Sequence, residues 1–322
     1  MSIEYKNRLW DIKDDSLISV ITPFFNRANV IDRALESVNK QTYRDFEYII
    51  VDDGSIENCD AKIKAYIDSV DFPCVFLKKE NGGAHTAKNC GVKKSRGRYI
   101  VFLDSDDEFV PEALERFIYE GWDKISNHDN DYFEIKMRCI NQNGIEIGDR
   151  FPDGINDLPH EQALRIYENT KGEHIGMRLG DIMRMNPWPE PKGVTFVTED
   201  ILWCKLRRQY KAFFSNQIVR IYHTDSSDSL DRRKNNNTQQ LINTLWNITY
   251  MLNDWNVFKV KYGKAYLKYI LLYNVLSIIL RKKKSEFERC TLIRKKDKIL
   301  AVIMIIPAVI IKPIYSFSRG LL

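Results

Sequence analysis

Apolar and polar positions alternate in blocks along the first part of the chain. "SLISVITP" (16–23) is a short apolar run ending at Thr22-Pro23. In "ANVIDRALESVNKQ" (28–41), Val30, Ile31, Ala34, Leu35 and Val38 fall at helical spacing. "FEYIIVDDGS" (46–55) reads as a strand running into acids and a glycine turn, and "AKIKAYIDSV" (61–70) as a helix. "CVFLKK" (74–79) is strand-like, and "AHTAKNCGVKKS" (84–95) is helical after a break at Gly82-Gly83. "RYIVFL" then predicts a strand, and "PEALERFIYEGWDKI" (111–125) a helix with proline in its favoured first turn. Strands separated by helices of this length need crossover connections, which predicts an α/β fold with a mostly parallel sheet covered on both faces. Ligands bind such sheets beyond the carboxyl ends of the strands, at a switch point. Thr22–Arg27, Asp52–Ser55 and Asp104–Asp107 lie at those ends and are expected to converge.

The pattern weakens after residue 127. Residues 128–255 are rich in turns, as in "NQNGIEIGDRFPDGIND" and "NPWPEPKG". From about Tyr262 the character changes to "YLKYILLYNVLSIIL", then "RKKK" (281–284), "RKKDK" (294–298) and "ILAVIMIIPAVII" (299–311). The last run, interrupted by Pro307, is shorter than the roughly 20 residues needed to span a bilayer. Apolar stretches flanked by Lys and Arg suit a segment lying in the interface of an anionic leaflet. A helical hairpin packed on the core, with its lysines solvated, satisfies the same pattern. The expected division is 1–230, split near residue 127, followed by a helical, basic and apolar region over 231–322.

Composition narrows the class. With 44% hydrophobic and 29% charged residues, the chain is ordinary globular protein rather than disordered or collagenous. Cys59, Cys74, Cys90, Cys139, Cys204 and Cys290 form no CxxC pair and read as reduced thiols. The opening MSIEYKNRLWDIKDD has no secretory apolar run, so a cytoplasmic location is expected. The net charge of +5 hides a segregation. From Asn256 onward there are fifteen Lys/Arg and three Asp/Glu, a balance of +12 that leaves −7 for the rest. Only the tail therefore calls for an anionic partner. Because its basic residues lie among aliphatics, nucleic acid is not expected as that partner.

The densest chemistry is "YIVFLDSDDEF" (99–109), an apolar strand that stops in Asp104, Asp106, Asp107 and Glu108. Clustered carboxylates repel, and their pKa values rise unless something positive answers them. Asp104 and Asp106, two apart in a turn, suit Mn²⁺ or Mg²⁺, which take oxygen ligands and often share them with substrate phosphates. Alternatively, one acid caps the next helix and the others face water. Two further segments favour the cation. Asp52 and Asp53 should face the same crevice, where a carboxylate is a fixed acceptor for a nucleobase imide such as uracil. "NGGAHTAKNCG" (81–91) allows close backbone approach to a ribose or phosphate.

Taken in order, "SVITPFFNRANVIDRALESVNKQTYRDFEYIIVDDGS", "NGGAHTAKN" and "GRYIVFLDSDD" resemble the nucleotide-binding half of family 2 glycosyltransferases of the GT-A fold. The resemblance is close over residues 18–107 and looser to about 230. It implies a Rossmann-like, mostly parallel sheet flanked by helices, with a helical C-terminal extension. It places Thr22, Pro23 and Asn26 under the nucleotide, Asp53 on the uracil N3–H, and Asp52 beside it supporting the turn. Gly82, Gly83, Lys88 and Asn89 would border base, ribose and sugar, with Lys88 standing where most members carry Arg. Asp106 would be the main metal contact. Asp104 would lie near the ribose or the metal, with Ser105 between them, and His223 near the metal or diphosphate. "FVTEDILWCKLRRQY" (196–210) resembles the family's Glu-Asp motif, making Asp200 the general base and Glu199 its partner or an acceptor contact; both acids also suit a helix N-terminus. Asp107 and Glu108 are expected to begin the next helix.

Other classes fit less well. In a haloacid dehalogenase-type phosphatase the DxD normally opens the domain, whereas here it follows several strands. A nucleotidyltransferase needs a Gly-rich basic loop that "TPFFNRAN" lacks. A non-catalytic sugar-nucleotide binder on the same fold would not need the intact Glu-Asp pair. The expected activity is metal-dependent, inverting transfer from a UDP-sugar to a glycan or polyprenyl-diphosphate-linked acceptor. The setting would be surface polysaccharide synthesis on the cytoplasmic face of the membrane.

Overall fold

The computed structural model describes residues 2–12, 17–125, 131–224, 238–254, 263–280 and 291–318. The chain forms two compact units, one of Met1–Pro187 with Gln209–Ser229, the other of Trp188–Arg208 with Leu230–Leu322. Residues 188–208 group with the C-terminal helices in the second unit. "RKKK" (281–284), Cys290 and residues 225–230 of "RIYHTDSSDSL" lie outside the described residues.

The first unit is built on β1 (Ser2–Lys6), β2 (Ile18–Phe24), β3 (Phe46–Asp52), β4 (Cys74–Lys78), β5 (Tyr99–Phe102), β6 (Glu108–Phe109), β7 (Tyr132–Asn141), β8 (Glu146–Ile147), β9 (His174–Leu179) and β10 (Lys211–Tyr222). Its helices are α1 (Leu9–Ile12), α2 (Ile31–Asn39), α3 (Asp60–Ser69), α4 (Ala84–Lys94), α5 (Ala113–Tyr119), α6 (His160–Tyr167) and α7 (Gly180–Met185). All strands join one sheet in the order β1-β4-β3-β2-β5-β9-β7-β10-β6, with β8 beside β7. Neighbours within β4-β3-β2-β5 are parallel, as are β7 and β10, while β1, β6, β8 and β9 pair antiparallel. The chain steps from β2 out to β3 and β4, then returns to place β5 on the other side of β2. This reversal opens a crevice at the carboxyl end of β2.

Every residue of β2 and β3 is buried, as expected of strands covered on both faces. One face carries Val20, Tyr48, Ile50 and Val101 under Ile31, Leu35 and Val38 of α2, with Ile63 and Ile67 of α3. The other face takes α4 so closely that a Cβ on Gly91 would stand 2.4 Å from Ile21 Cγ2. Pro23 is accommodated because β2 and β5 pair only as far as Ile21↔Phe102, so its missing N–H falls past the ladder. At the amino ends, buried Glu47 ties three segments: its carboxylate accepts from Ser19 Oγ (2.6 Å), Arg96 N (2.7 Å) and Arg96 Nε (2.7 Å).

The second half of the sheet is built differently. In β7, Phe133, Ile135, Met137 and Cys139 alternate with Glu134, Lys136 and Arg138, and all seven are buried. Ile135, Met137 and Cys139 join the main core and Phe133 packs against Tyr210, while the charged set must be neutralised by partners within the protein. Glu134 lies directly across from Arg178 in the β7–β9 register, 2.7 Å from its Nη2, and Lys136 Nζ stands 3.7 Å from the same carboxylate oxygen. Arg138 donates both Nη atoms to Glu146, at 2.9 and 2.6 Å. Glu134→Ala strands two buried cations, and urea unfolding should show a loss of about 3–5 kcal/mol. A loss within the scatter of surface substitutions would mean that water reaches this layer.

Candidate active site

The first two loops are locked together by side chains. Asn26 sits at φ +51°, its N–H donating to Ser55 Oγ (2.8 Å) and its Oδ1 accepting from Ile56 N (2.8 Å). Short polar side chains tolerate this left-handed conformation best. Asp52 accepts from Ser55 N at 2.8 Å and so closes the turn after β3, the supporting role expected of it. Thr22 is fully buried within β2, where its Oγ1 accepts from Tyr48 O–H at 2.9 Å. Burial raises the Tyr48 phenol pKa, keeping the O–H as donor. Gly54 is required twice over: its φ is +77°, and a Cβ there would lie 2.6 Å from Asn81 N.

Asp53 holds the glycine turn. Its Oδ1 accepts from Lys79 Nζ (2.6 Å) and Gly82 N (3.1 Å), its Oδ2 from Gly83 N (2.7 Å), and it is only 2% exposed. Gly83, at φ +95°, immediately precedes α4. α4 then brings Lys88 and Asn89 round on its second turn, with Lys88 buried 5.3 Å over the Phe102 ring. Lys79 went unnoticed in the sequence, although its place at the end of an apolar strand marks it.

The acidic segment forms a tight turn, with Asp107 N donating to Asp104 O at 3.1 Å and Ser105 buried inside it. Cations from three elements answer the charge. Arg27 Nη1 lies 3.5 Å from Asp106, Lys88 Nζ 3.9 Å from Asp104, and Arg220 Nη1 3.4 Å from Asp107 and 3.9 Å from Asp104. Arg220, on β10, is buried, and it also bonds Glu173 at 3.0 Å. The sequence reading missed it because no local pattern ties residue 220 to residue 104. Asp107 and Glu108 do not begin a helix. Asp107 is buried and accepts from His223 N at 3.0 Å, while Glu108 enters β6, pairing with Ile221 of β10. Pairing with a distant strand outweighs the local helix signal, and α5 waits until Ala113. His223 reaches this segment too, its Nε2 2.7 Å from Glu108 Oε1.

Among the described residues, no three His, Cys, Asp or Glu side chains are grouped to hold a metal ion. The donor set nonetheless suits a hard cation completed by phosphate oxygens. Asp104 is half exposed, and Arg27, Lys88 and Arg220 stand 3.5–3.9 Å from the carboxylates of Asp104 and Asp106.

Within the second unit, α8 (Asp200–Leu206) begins at the Glu-Asp pair, and both acids are exposed. Glu199 Oε2 accepts from Trp203 Nε1 at 3.0 Å. The segment leading to them is gripped by α9 (Thr238–Asn253). Asn243 Oδ1 accepts from Thr195 N (3.0 Å), and Asn247 Oδ1 accepts from Thr198 N (3.0 Å). These two asparagines were also missed, although four-residue spacing on one helix face was there to be read. Trp188 is buried against Trp203 at 5.0 Å, a packing role.

A largely parallel α/β sheet with acids and a glycine turn gathered at its switch point is the architecture of the GT-A fold. Residues 19–136 match the model of Glycosyl transferase family 2, so the chain carries a domain of that family. Over 127 residues it is 35% identical to an Escherichia coli protein, UDP-Glc:alpha-D-GlcNAc-diphosphoundecaprenol beta-1,3-glucosyltransferase WfgD, covering 36% of this chain and 49% of that one. The chain spans from 16% to 49% of the length of curated relatives it matches. S. aureus TarS in complex with UDP-GlcNAc shares the fold at TM-score 0.54 and 15% identity, covering 94% of this chain and 92% of that one. So does the mannosyltransferase PcManGT from Pyrobaculum calidifontis in complex with GDP-Man and Mn²⁺, at TM-score 0.53 and 13% identity, covering 94% and 90%.

Two outcomes follow from this geometry. Asp53→Asn turns one acceptor oxygen into a donor among N–H groups, and unfolding should show a loss of about 1–3 kcal/mol together with weaker UDP binding by calorimetry. Burial pushes the Asp107 pKa up to about 7 from 3.8, with Arg220 pulling the other way and Asp104 adding to the rise. Because the folded chain holds that proton where the unfolded chain does not, its stabilising contribution is full at low pH and falls as pH rises through this window. Between about pH 4 and 7 the wild type should lose stability relative to Asp107→Asn, with no further change above about pH 8.

Proposed function

We propose that the chain is a metal-dependent, inverting glycosyltransferase that moves a sugar from a UDP-sugar to a hydroxyl of a glycan or lipid-linked acceptor in surface polysaccharide synthesis. The observation carrying this reading is the gathering of the Asn26, Asp52–Asp53, Gly82-Gly83 and Asp104–Asp107 loops at one end of the sheet. The WfgD likeness supports a diphosphate-linked acceptor, and the TarS likeness a UDP-linked donor.

In this reading Thr22, Pro23 and Asn26 floor the nucleotide site. Asp53 and the turn it holds face the base, with Asp52 bracing the loop. Gly82, Gly83, Lys88 and Asn89 border ribose and sugar, and Asp104 and Ser105 complete the ribose edge. Asp106 and Asp104 would hold Mn²⁺ or Mg²⁺ together with the donor diphosphate, with His223 assigned to the diphosphate side; when bound, such an ion offsets charge on the departing diphosphate. Asp200 takes the proton of the acceptor hydroxyl as its oxygen bonds to the sugar C1 and the C1–phosphate oxygen bond breaks. Glu199 orients that carboxylate or binds acceptor. An acceptor on a polyprenyl chain would bring the enzyme to the cytoplasmic face of a membrane, and the basic, apolar C-terminal region is the part assigned to that surface.

A panel of sugar nucleotides with Mn²⁺ or Mg²⁺, read by hydrolysis and thermal shift, tests the class. Asp200→Asn should lower transfer by roughly 10²–10⁴-fold while leaving metal-dependent UDP affinity nearly unchanged. Asp106→Ala should weaken that affinity first. Equal loss of UDP affinity in both variants would sink the division of labour.

A further inference from the structure

The end of the second unit exposes an apolar face. Its last two described helices are α11 (Lys295–Ile303) and α12 (Ile305–Ser318), lying beside α10 (Gly263–Ile279). The inward stripe of α11 and α12 is Asp297, Ala301 and Ala308, all buried. Its polar members are fully used: Asp297 accepts from Tyr266 O–H and from Arg294 Nε at 2.7 Å, and Asn274 of α10 donates to Ala301 O at 2.8 Å. The outward surface is apolar instead, with Ile299, Val302, Ile303, Ile306, Val309 and Ile310 each more than half exposed. A helix on a water-facing surface turns its polar residues outward and its apolar stripe inward. Here isoleucine and valine occupy the outward face as well, as where lipid is the solvent. Soluble monomers rarely expose a contiguous apolar patch of this kind.

Charge selects the occupant. Lys295, Lys296 and Lys298 are exposed on α11. At 100° per residue they share the outward arc with Ile299, Val302 and Ile303, so their stems can lie along the apolar surface with the ammonium groups at its rim. An isologous pair of copies would bring equal charges toward one another and bury their ammonium groups. Lipid phosphates would neutralise them. No helix among the described residues is long and apolar enough to cross a membrane. At 14 residues α12 measures about 21 Å, against roughly 30 Å for a hydrocarbon core.

We infer that the outward face of α11 and α12 is a docking surface for an anionic lipid bilayer, lying in the interface with the isoleucines and valines among the upper acyl chains and Lys295, Lys296 and Lys298 on lipid phosphates. This inference rests on the membrane part of the reading above and not on the transfer chemistry.

Flotation of the full chain with vesicles of phosphatidylglycerol and phosphatidylcholine, against phosphatidylcholine alone, is the test. The wild type should partition onto the anionic vesicles, and less so as salt is raised. Lys295→Gln/Lys296→Gln/Lys298→Gln together should weaken partition roughly a hundredfold. Val302→Glu/Ile306→Glu should weaken it at least about tenfold on any vesicle. Because these side chains are exposed, thermal midpoint and UDP affinity should not move, which separates failure of docking from failure of the nucleotide site. Absence of wild-type partition onto anionic vesicles, or equal partition of the glutamate variant, overturns the inference. A self-associating wild type that the glutamate variant turns monomeric in ultracentrifugation, without vesicle binding, assigns the face to a second copy instead and overturns it equally.

Discussion

Acids collected at the carboxyl ends of parallel strands must be neutralised without being covered, and the first unit is arranged around that requirement. Four acidic side chains occupy five positions after β5, and their repulsion would open the turn if nothing opposed it. The opposing charges come from the loop after β2, from α4 and from the far strand β10, through Arg27, Lys88 and Arg220. These contacts of 3.4–3.9 Å stabilise the carboxylates electrostatically. The same contacts tie the two halves of the sheet together. β6 exists because Asp107 and Glu108 are drawn onto β10 and His223. Electrostatic need and sheet topology are therefore one constraint here, and the open side of Asp104 is what it leaves available to a ligand.

The mononucleotide half was legible because its signals are local. The apolar runs at 18–24, 46–52, 74–78 and 99–102 are strands buried on both faces, and the helices between them keep their apolar positions at helical spacing. Gly54 and Gly83 mark turns whose backbone demands glycine, and both were visible. The other half resisted because its determinants are pairwise and distant. The alternation in "FEIKMRC" is a strand signal, but three of its residues are charged, and a solvent-facing edge reads the same way. Only the partners Arg178, forty-four residues on in the chain, and Glu146 turn those charges into core. The short strand β6 and the truncation of α5 follow from pairing across more than a hundred residues, which no window along the chain contains.

The candidate site shows the same split. Asp52, Asp53, Asn26, Gly82 and Gly83 were each named from the sequence; Asn26, Asp53, Gly82 and Gly83 bond across to a neighbouring loop, and Asp52 closes its own. What the sequence did not show is how they are held. Asp53 spends both oxygens on backbone N–H groups of the glycine turn and on Lys79, so the turn is fixed before any ligand arrives. Preorganisation of this kind lowers the ordering cost of binding. Asn243 and Asn247 do for the segment before Glu199 what Asp53 does for the glycine turn. Both hold a loop by its backbone, and the Glu199 and Asp200 side chains stay exposed.

The second unit extends the logic of buried polarity to a different solvent. In the first unit, buried charges such as Glu134 and Glu47 are satisfied inside while the surface stays polar. At the chain's end, Asp297, Tyr266 and Arg294 are likewise satisfied inside, yet the surface above them is isoleucine and valine. An apolar outer face loses free energy in water, since each exposed methylene forgoes its transfer out of water. The arrangement is stable on its own terms only where that outer face meets hydrocarbon. A lipid-linked acceptor would lie at such a boundary, so the proposed docking of α11 and α12 deepens the membrane part of the proposed function and leaves its transfer chemistry to be judged on the first unit alone.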